Sequence, residues 1–230
     1  MIPRLPPHFL ATVMTGVHGG CHLCGAMVFC NHKRLICHDC QTLITPLPTF
    51  VINANKPLPL MVCGHYDTPF DHVMSAYKDH ENLSALMVLY HLIRQLPQPN
   101  NLSYDNAVII PTPTTKNRLI KRGFNPALTL AKYLSHHWQI PIFDIIKRTE
   151  NTVHQRGLDR DERLQNVKND FYITDYPTTR YVILFDDVVT TGATLTTIAN
   201  LLTDKNPKQQ LFAVGVLHGK AGLHLPIYQR

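Results

Sequence analysis

The chain has 230 residues, 44% of them apolar and 17% charged, and carries a formal net charge of +6. That length admits one α/β domain with a sizeable core and a small appended module, and the apolar content excludes a disordered chain. No apolar stretch reaches the roughly 18 residues needed to cross a bilayer, and the start Met1-Ile2-Pro3-Arg4-Leu5-Pro6-Pro7 lacks a signal-peptide core, so a cytoplasmic protein without membrane insertion is expected.

After an irregular start, Cys21-x2-Cys24 and Cys37-x2-Cys40 stand 12 residues apart. This is the spacing of a zinc ribbon or knuckle, in which each Cys-x-x-Cys turn supplies two thiolates to a tetrahedral ion. Cys30, His22, His32 and His38 lie in the same stretch, and any one of them could replace a cysteine as ligand. A segment of about 40 residues cannot build an adequate core, so residues 1–50 are expected to form a module that folds with structural Zn²⁺. Pro46, Pro48, Pro57 and Pro59 then punctuate a connector into a second domain, residues 51–230.

A strand is expected near Leu60 to Tyr66, with Cys63 a buried thiol. Phe70, Val73, Met74 and Tyr77 recur at helical spacing, as do Leu83, Leu86, Met87, Tyr90, Ile93 and Leu96, which places two helices before Pro97. The strand Ala107 to Ile110 runs into Pro111-Thr112-Pro113, and helices follow near Thr115 to Lys121 and Pro126 to Trp138. Strands near Phe143 to Ile146, Tyr181 to Phe185 and Leu211 to Leu217 complete an alternating β/α order, the pattern of a parallel sheet flanked by helices.

Charge is unevenly placed. Lys116, Arg118, Lys121, Arg122, Lys132, Lys147 and Arg148 face only Asp144 between Pro111 and Arg148, so this segment carries the whole net charge. Such clustering points to phosphate-bearing ligands, either a pyrophosphate or a nucleic-acid backbone, with Arg118, Lys121, Arg122 and Arg148 as candidate contacts. Phe29, Phe124 and Tyr133 are candidates for base stacking.

The most specific stretch is Val182-Ile183-Leu184-Phe185-Asp186-Asp187-Val188-Val189-Thr190-Thr191-Gly192-Ala193-Thr194. An apolar run bounded by turn signals fits a strand covered on both faces, and ligands of parallel sheets gather at the strands' carboxyl ends. Two carboxylates there can accept hydrogen bonds from vicinal hydroxyls. The Thr/Gly turn offers N–H groups and hydroxyls to an anion, helped by the positive end of a helix whose apolar stripe runs from Ala193 to Leu202. Gly192 is expected to lack a Cβ so that the anion can approach.

This stretch resembles the 5-phosphoribosyl-1-pyrophosphate (PRPP) signature of the type I phosphoribosyltransferases. The resemblance implies that Asp186 and Asp187 hold the ribose hydroxyls and that Thr190, Thr191, Gly192, Ala193 and Thr194 hold the 5-phosphate. Together with the cysteine pairs, with Pro-Thr-Pro followed by Lys116, Arg118, Arg122, Gly123, Phe124 and Asn125, and with Arg148, Gln155, Leu158, Arg163, Asn166 and Phe171, the chain closely resembles the ComF/GntX family of competence-associated proteins. What this implies is a type I phosphoribosyltransferase-like sheet with an N-terminal zinc module. It also implies a part in DNA uptake for natural transformation, with PRPP, Mg²⁺ and single-stranded DNA as ligands and a helicase-like competence ATPase as partner. Thr112, Pro113, Thr114 and Thr115 match the pyrophosphate loop, where a cis Thr112–Pro113 bond would cost little, and Arg148 to Arg163 match the segment that covers the site. A catalytically active transferase, carrying ribose 5-phosphate from PRPP to a nitrogenous acceptor, is the alternative. No segment reads obviously as a site for that acceptor.

Overall fold

A computed structural model describes residues 9, 13, 19–27, 35–45, 47–149 and 170–219. In chain order the elements are α1 (His38–Gln41), β1 (Phe50–Ile52), β2 (Leu58–His65), α2 (Phe70–His80), α3 (Leu83–Ile93), β3 (Ala107–Pro111), α4 (Lys116–Arg122), α5 (Pro126–Trp138), β4 (Ile146–Arg148), β5 (Phe171–Ile173), β6 (Tyr181–Val189), α6 (Ala193–Lys205) and β7 (Gln210–His218). The main sheet has the order β1-β2-β7-β6-β3, with β1 antiparallel to β2 and every other neighbour parallel. This is the α/β class expected, with the carboxyl ends of β2, β7, β6 and β3 on one edge.

The central strands are apolar on both faces because both faces are covered. Val182, Ile183, Leu184 and Phe185 have no exposed surface. On one side Ile183 and Phe185 join a core with α2, α3 and α5, and on the other Val182 and Leu184 pack with Leu195, Ile198 and Leu202 of α6. Each such side chain contributes about 1.5–3 kcal/mol through burial. Helix α3 opens on Asn82, whose side chain accepts from the Ala85 N–H at 2.9 Å, and every residue from Ala85 to Ile93 is buried. A helix apolar all round must be covered all round. The cysteine module supplies the outer cover: Leu35 and Ile36 are fully buried in the same core as Met87 and Leu89, His91 Nε2 lies 2.6 Å from Gln41 Oε1, and His22 Nδ1 lies 3.4 Å from Ser84 Oγ.

Three details depart from expectation. The strand expected at Phe143 to Ile146 is divided, because Ile109 captures residues 141–143 at the sheet edge. The Ile109 N–H donates to Pro141 O and the Phe143 N–H to Ile109 O, each at 2.8 Å, and the chain then turns so that Ile146–Arg148 pairs with Phe171–Ile173. Strand β6 continues past the acid pair to Val189, since Val188 and Val189 still pair with Leu217 and His218. Among the described residues the cis peptide bond lies at Thr68–Pro69, and Thr112–Pro113 is trans. Thr112 instead extends the sheet, its N–H donating to Phe185 O at 2.8 Å.

Candidate functional site

The carboxyl ends of β3 and β6 bring together residues 74 positions apart. Thr112 Oγ1 donates to Asp186 Oδ1 at 2.7 Å, and the Asp187 N–H donates to the same oxygen at 3.0 Å. Asn125 Nδ2 donates to Thr112 O at 3.0 Å and so ties the start of α5 to this strand end. Asp187 Oδ1 lies 2.9 Å from Lys78 Nζ, a residue of α2. Burial, then the adjacent Asp187 carboxylate, pushes the Asp186 carboxyl up to about 7, with the Thr112 hydroxyl and the Lys78 ammonium pulling the other way. The pair therefore presents acceptor oxygens at neutral pH without two full, unopposed negative charges.

Next to the acids, a small hollow open to solvent is lined by Asp186 and by Val188 to Thr194. Thr190 and Thr191 are exposed. Helix α6 starts here on Gly192, which has no side chain to cap it; the Ala193 N–H donates to Thr191 Oγ1 at 3.4 Å, and Ala193 and Thr194 of the first turn line the hollow. Gly192 has a further reason in the fold. Its φ of 72° is left-handed, and a Cβ there would meet Ile52 side-chain atoms at 3.2 Å, so the glycine serves the turn and the packing of β1. The sequence-predicted loop residues Thr190, Thr191, Gly192, Ala193 and Thr194 thus share one hollow with Asp186.

The pyrophosphate-loop residues Pro113, Thr114 and Thr115 follow directly from Thr112 and are half-buried. Thr115 Oγ1 caps α4 by accepting from the Arg118 N–H at 3.3 Å. Helix α4 has no buried residue, and Arg118 and Lys121 are exposed together with Leu119 and Ile120. Arg122 is engaged at 3.0 Å with Asp79 of α2. Arg148 is likewise engaged, 3.2 Å from Asp170 and 5.2 Å from the Phe171 ring centroid. Of the stacking candidates, Tyr133 is buried against Tyr90 with ring centroids 3.9 Å apart, Phe124 packs on Tyr77, and Phe29 lies outside the described residues. The covering segment, Arg148 to Arg163, also lies outside them beyond Thr149. Lys78 is the site residue that sequence reasoning missed. It sits on the polar face of an amphipathic helix whose apolar stripe was the only signal read.

At the other face of α3, the Sγ atoms of Cys21, Cys24, Cys37 and Cys40 lie within 4.8 Å of one another. A tetrahedral ion with Zn–S bonds of about 2.3 Å would space its sulfurs about 3.8 Å apart, and the Cys24 and Cys37 sulfurs are 3.8 Å apart. Backbone N–H groups already point at the sulfurs: Cys37 N and Cys24 N donate to Cys21 Sγ at 3.2 and 3.5 Å, and Cys40 N donates to Cys37 Sγ at 3.4 Å. Burial raises the Cys21 thiol, but the N–H groups of Cys24, Cys37 and Leu23 more than offset it and bring it down to about 6. The donor set fits Zn²⁺. Among the described residues no histidine joins the group, His22 being turned toward Ser84 and His38 exposed; Cys30 and His32 lie outside the described residues.

No family model matches the chain. Over 152 residues it is 35% identical to Competence protein F of Haemophilus influenzae, a match covering 62% of this chain and 66% of that protein. Over 189 residues it is 30% identical to the DNA utilization protein YhgH of Escherichia coli O157:H7, covering 79% of this chain and 77% of the relative. Among solved structures, the Helicobacter pylori xanthine-guanine-hypoxanthine phosphoribosyltransferase aligns at a TM-score of 0.34 and 17% identity over 71% of this chain and 83% of that one. With a relative 30% identical spanning more than three quarters of both sequences, and with the acid pair, threonine loop and cysteine cluster placed as described, the chain belongs to the ComF/GntX family of competence-associated proteins.

Proposed function

We propose that this protein binds PRPP at the carboxyl edge of its sheet and single-stranded DNA on the adjoining basic helix, and that it works in DNA uptake on the cytosolic side of the membrane. The observation that carries the reading is the meeting of Thr112, Asp186, Asp187 and the Thr190–Thr194 loop at one strand edge. The carboxylates accept from the two ribose hydroxyls. The first turn of α6, with the Thr190 and Thr191 hydroxyls, donates to the 5-phosphate. Among the described residues only two carboxylates converge there, without a third ligand, so Mg²⁺ would be held largely by the oxygens of PRPP itself and would supply charge neutralisation on the pyrophosphate. The relatives, a competence protein and a DNA utilization protein by name, support the DNA-handling part. So does α4, whose exposed Arg118 and Lys121 lie a few residues beyond the pyrophosphate loop. A helicase-like ATPase is the partner we propose.

Calorimetric titration of PRPP with Mg²⁺, together with anisotropy of a labelled oligonucleotide at rising salt, tests both halves. Saturable PRPP binding and steeply salt-dependent DNA binding are expected. A protein that binds neither ligand overturns the proposal. One observation favours a catalytic use of the same site: the Asp186 carboxyl, pushed up to about 7, can exchange a proton near neutral pH. Pyrophosphate release with any nitrogenous acceptor would establish that use.

A further inference from the structure

Lys78 belongs to neither segment that the resemblance assigns, yet its ammonium is 2.9 Å from Asp187 and its side chain keeps 18% of its surface exposed. It is held on both sides. Tyr77 donates through its hydroxyl to Pro126 O at 3.4 Å and packs on Phe124, while Asp79 pairs with Arg122. All three partners lie in residues 122–126, which follow the pyrophosphate loop, whereas the Thr190–Thr194 loop packs on the opposite flank, against Ile52. The ammonium is therefore fixed on the pyrophosphate side of the acid pair, at the edge of solvent. A lysine has three N–H donors, and Asp187 takes one. We propose that Lys78 is a ligand-binding residue whose remaining donors take a pyrophosphate oxygen of PRPP, so that one helix-borne cation neutralises both the acid pair and the leaving group. This rests on the PRPP reading given above.

The test compares PRPP with ribose 5-phosphate, which shares the ribose and 5-phosphate but lacks the pyrophosphate, in wild type, Lys78→Met and Lys78→Arg, each checked for folding by thermal melting. Loss of one charge-assisted contact should weaken PRPP by about 10-fold or more in Lys78→Met. Ribose 5-phosphate should change far less, the PRPP loss should be larger without Mg²⁺ than with it, and Lys78→Arg should keep most of the PRPP preference. If Lys78→Met does not fold, Lys78→Gln replaces it and the same ratio is read. An equal loss for both ligands would make Lys78 a structural partner of Asp187 only and overturn the proposal while leaving the PRPP reading intact. No PRPP binding by wild type would overturn both.

Discussion

The cysteine cluster and the acid pair both gather like groups, but they resolve the resulting repulsion in opposite ways. Around Cys21, Cys24, Cys37 and Cys40 the described residues offer backbone N–H donors to four sulfurs within 4.8 Å of one another, a group that could hold a metal ion. Around Asp186 and Asp187 the chain brings its own compensation, the Lys78 ammonium and the Thr112 hydroxyl. On the reading proposed here, metal binding at the first site is part of folding, whereas the second is satisfied before any ligand arrives, so that binding there would exchange partners.

The largest effect should follow from breaking the first site. The double change Cys21→Ser, Cys37→Ser should abolish zinc in metal analysis and, because Leu35 and Ile36 share the core of α3, lower the melting temperature of the whole chain and not of a separate module. A loss of several kcal/mol is expected. A full zinc complement in the double variant would refute the assignment. At the second site, Asp186→Asn with Asp187→Asn should leave the fold intact and weaken PRPP by at least ~100-fold, each carboxylate contributing roughly 1.5–3 kcal/mol, as read by calorimetry. Unchanged affinity would remove the acids from the ligand site.

A subtler contrast lies in pH. An acid whose folded-state value is raised to about 7 from 3.8 keeps a proton that the unfolded chain releases, so its contribution to stability falls as pH rises from about 4 to 7 and stays low above that. Asp186→Asn should therefore raise the melting temperature relative to wild type at pH 8, by the equivalent of about 1–2 kcal/mol, and change it little at pH 4. An advantage that grows toward acid would contradict the sign. The smallest effects belong to the exposed helix. Arg118→Glu with Lys121→Glu should reduce single-stranded DNA affinity and flatten its salt dependence, by about 0.7 in the log–log slope for each lost phosphate contact, while zinc and PRPP binding are unchanged. Arg122→Glu should act mainly by breaking the Asp79 pair, an exposed contact of about 1 kcal/mol or less.

How much of this was legible depended on whether a signal was local. The run Val182 to Thr194 carries strand, acids and turn in one segment, and the cysteine spacing carries its own geometry, so both could be read without a fold. Helices α2, α3 and α5 follow from apolar spacing. The short strands Phe50–Ile52 and Phe171–Ile173 were not legible, since three residues hold no period and exist through pairing with β2 and β4. Lys78 was hidden for the same reason at the level of the site. It is 109 positions from Asp187 in sequence, and only the packing of α2 brings it there. Arg122 and Tyr133 had the right chemistry for nucleic acid, and tertiary contacts had already engaged them.

The grip of Tyr77 and Asp79 on residues 122–126 has a thermodynamic corollary. Helix α2 touches the acid pair through Lys78 and the end of the basic helix through Arg122, so the two surfaces we propose for different ligands share one support. Whatever factor PRPP imposes on DNA affinity through that support, DNA must impose on PRPP in equal measure, so the two binding constants form a closed cycle in which measuring three arms fixes the fourth.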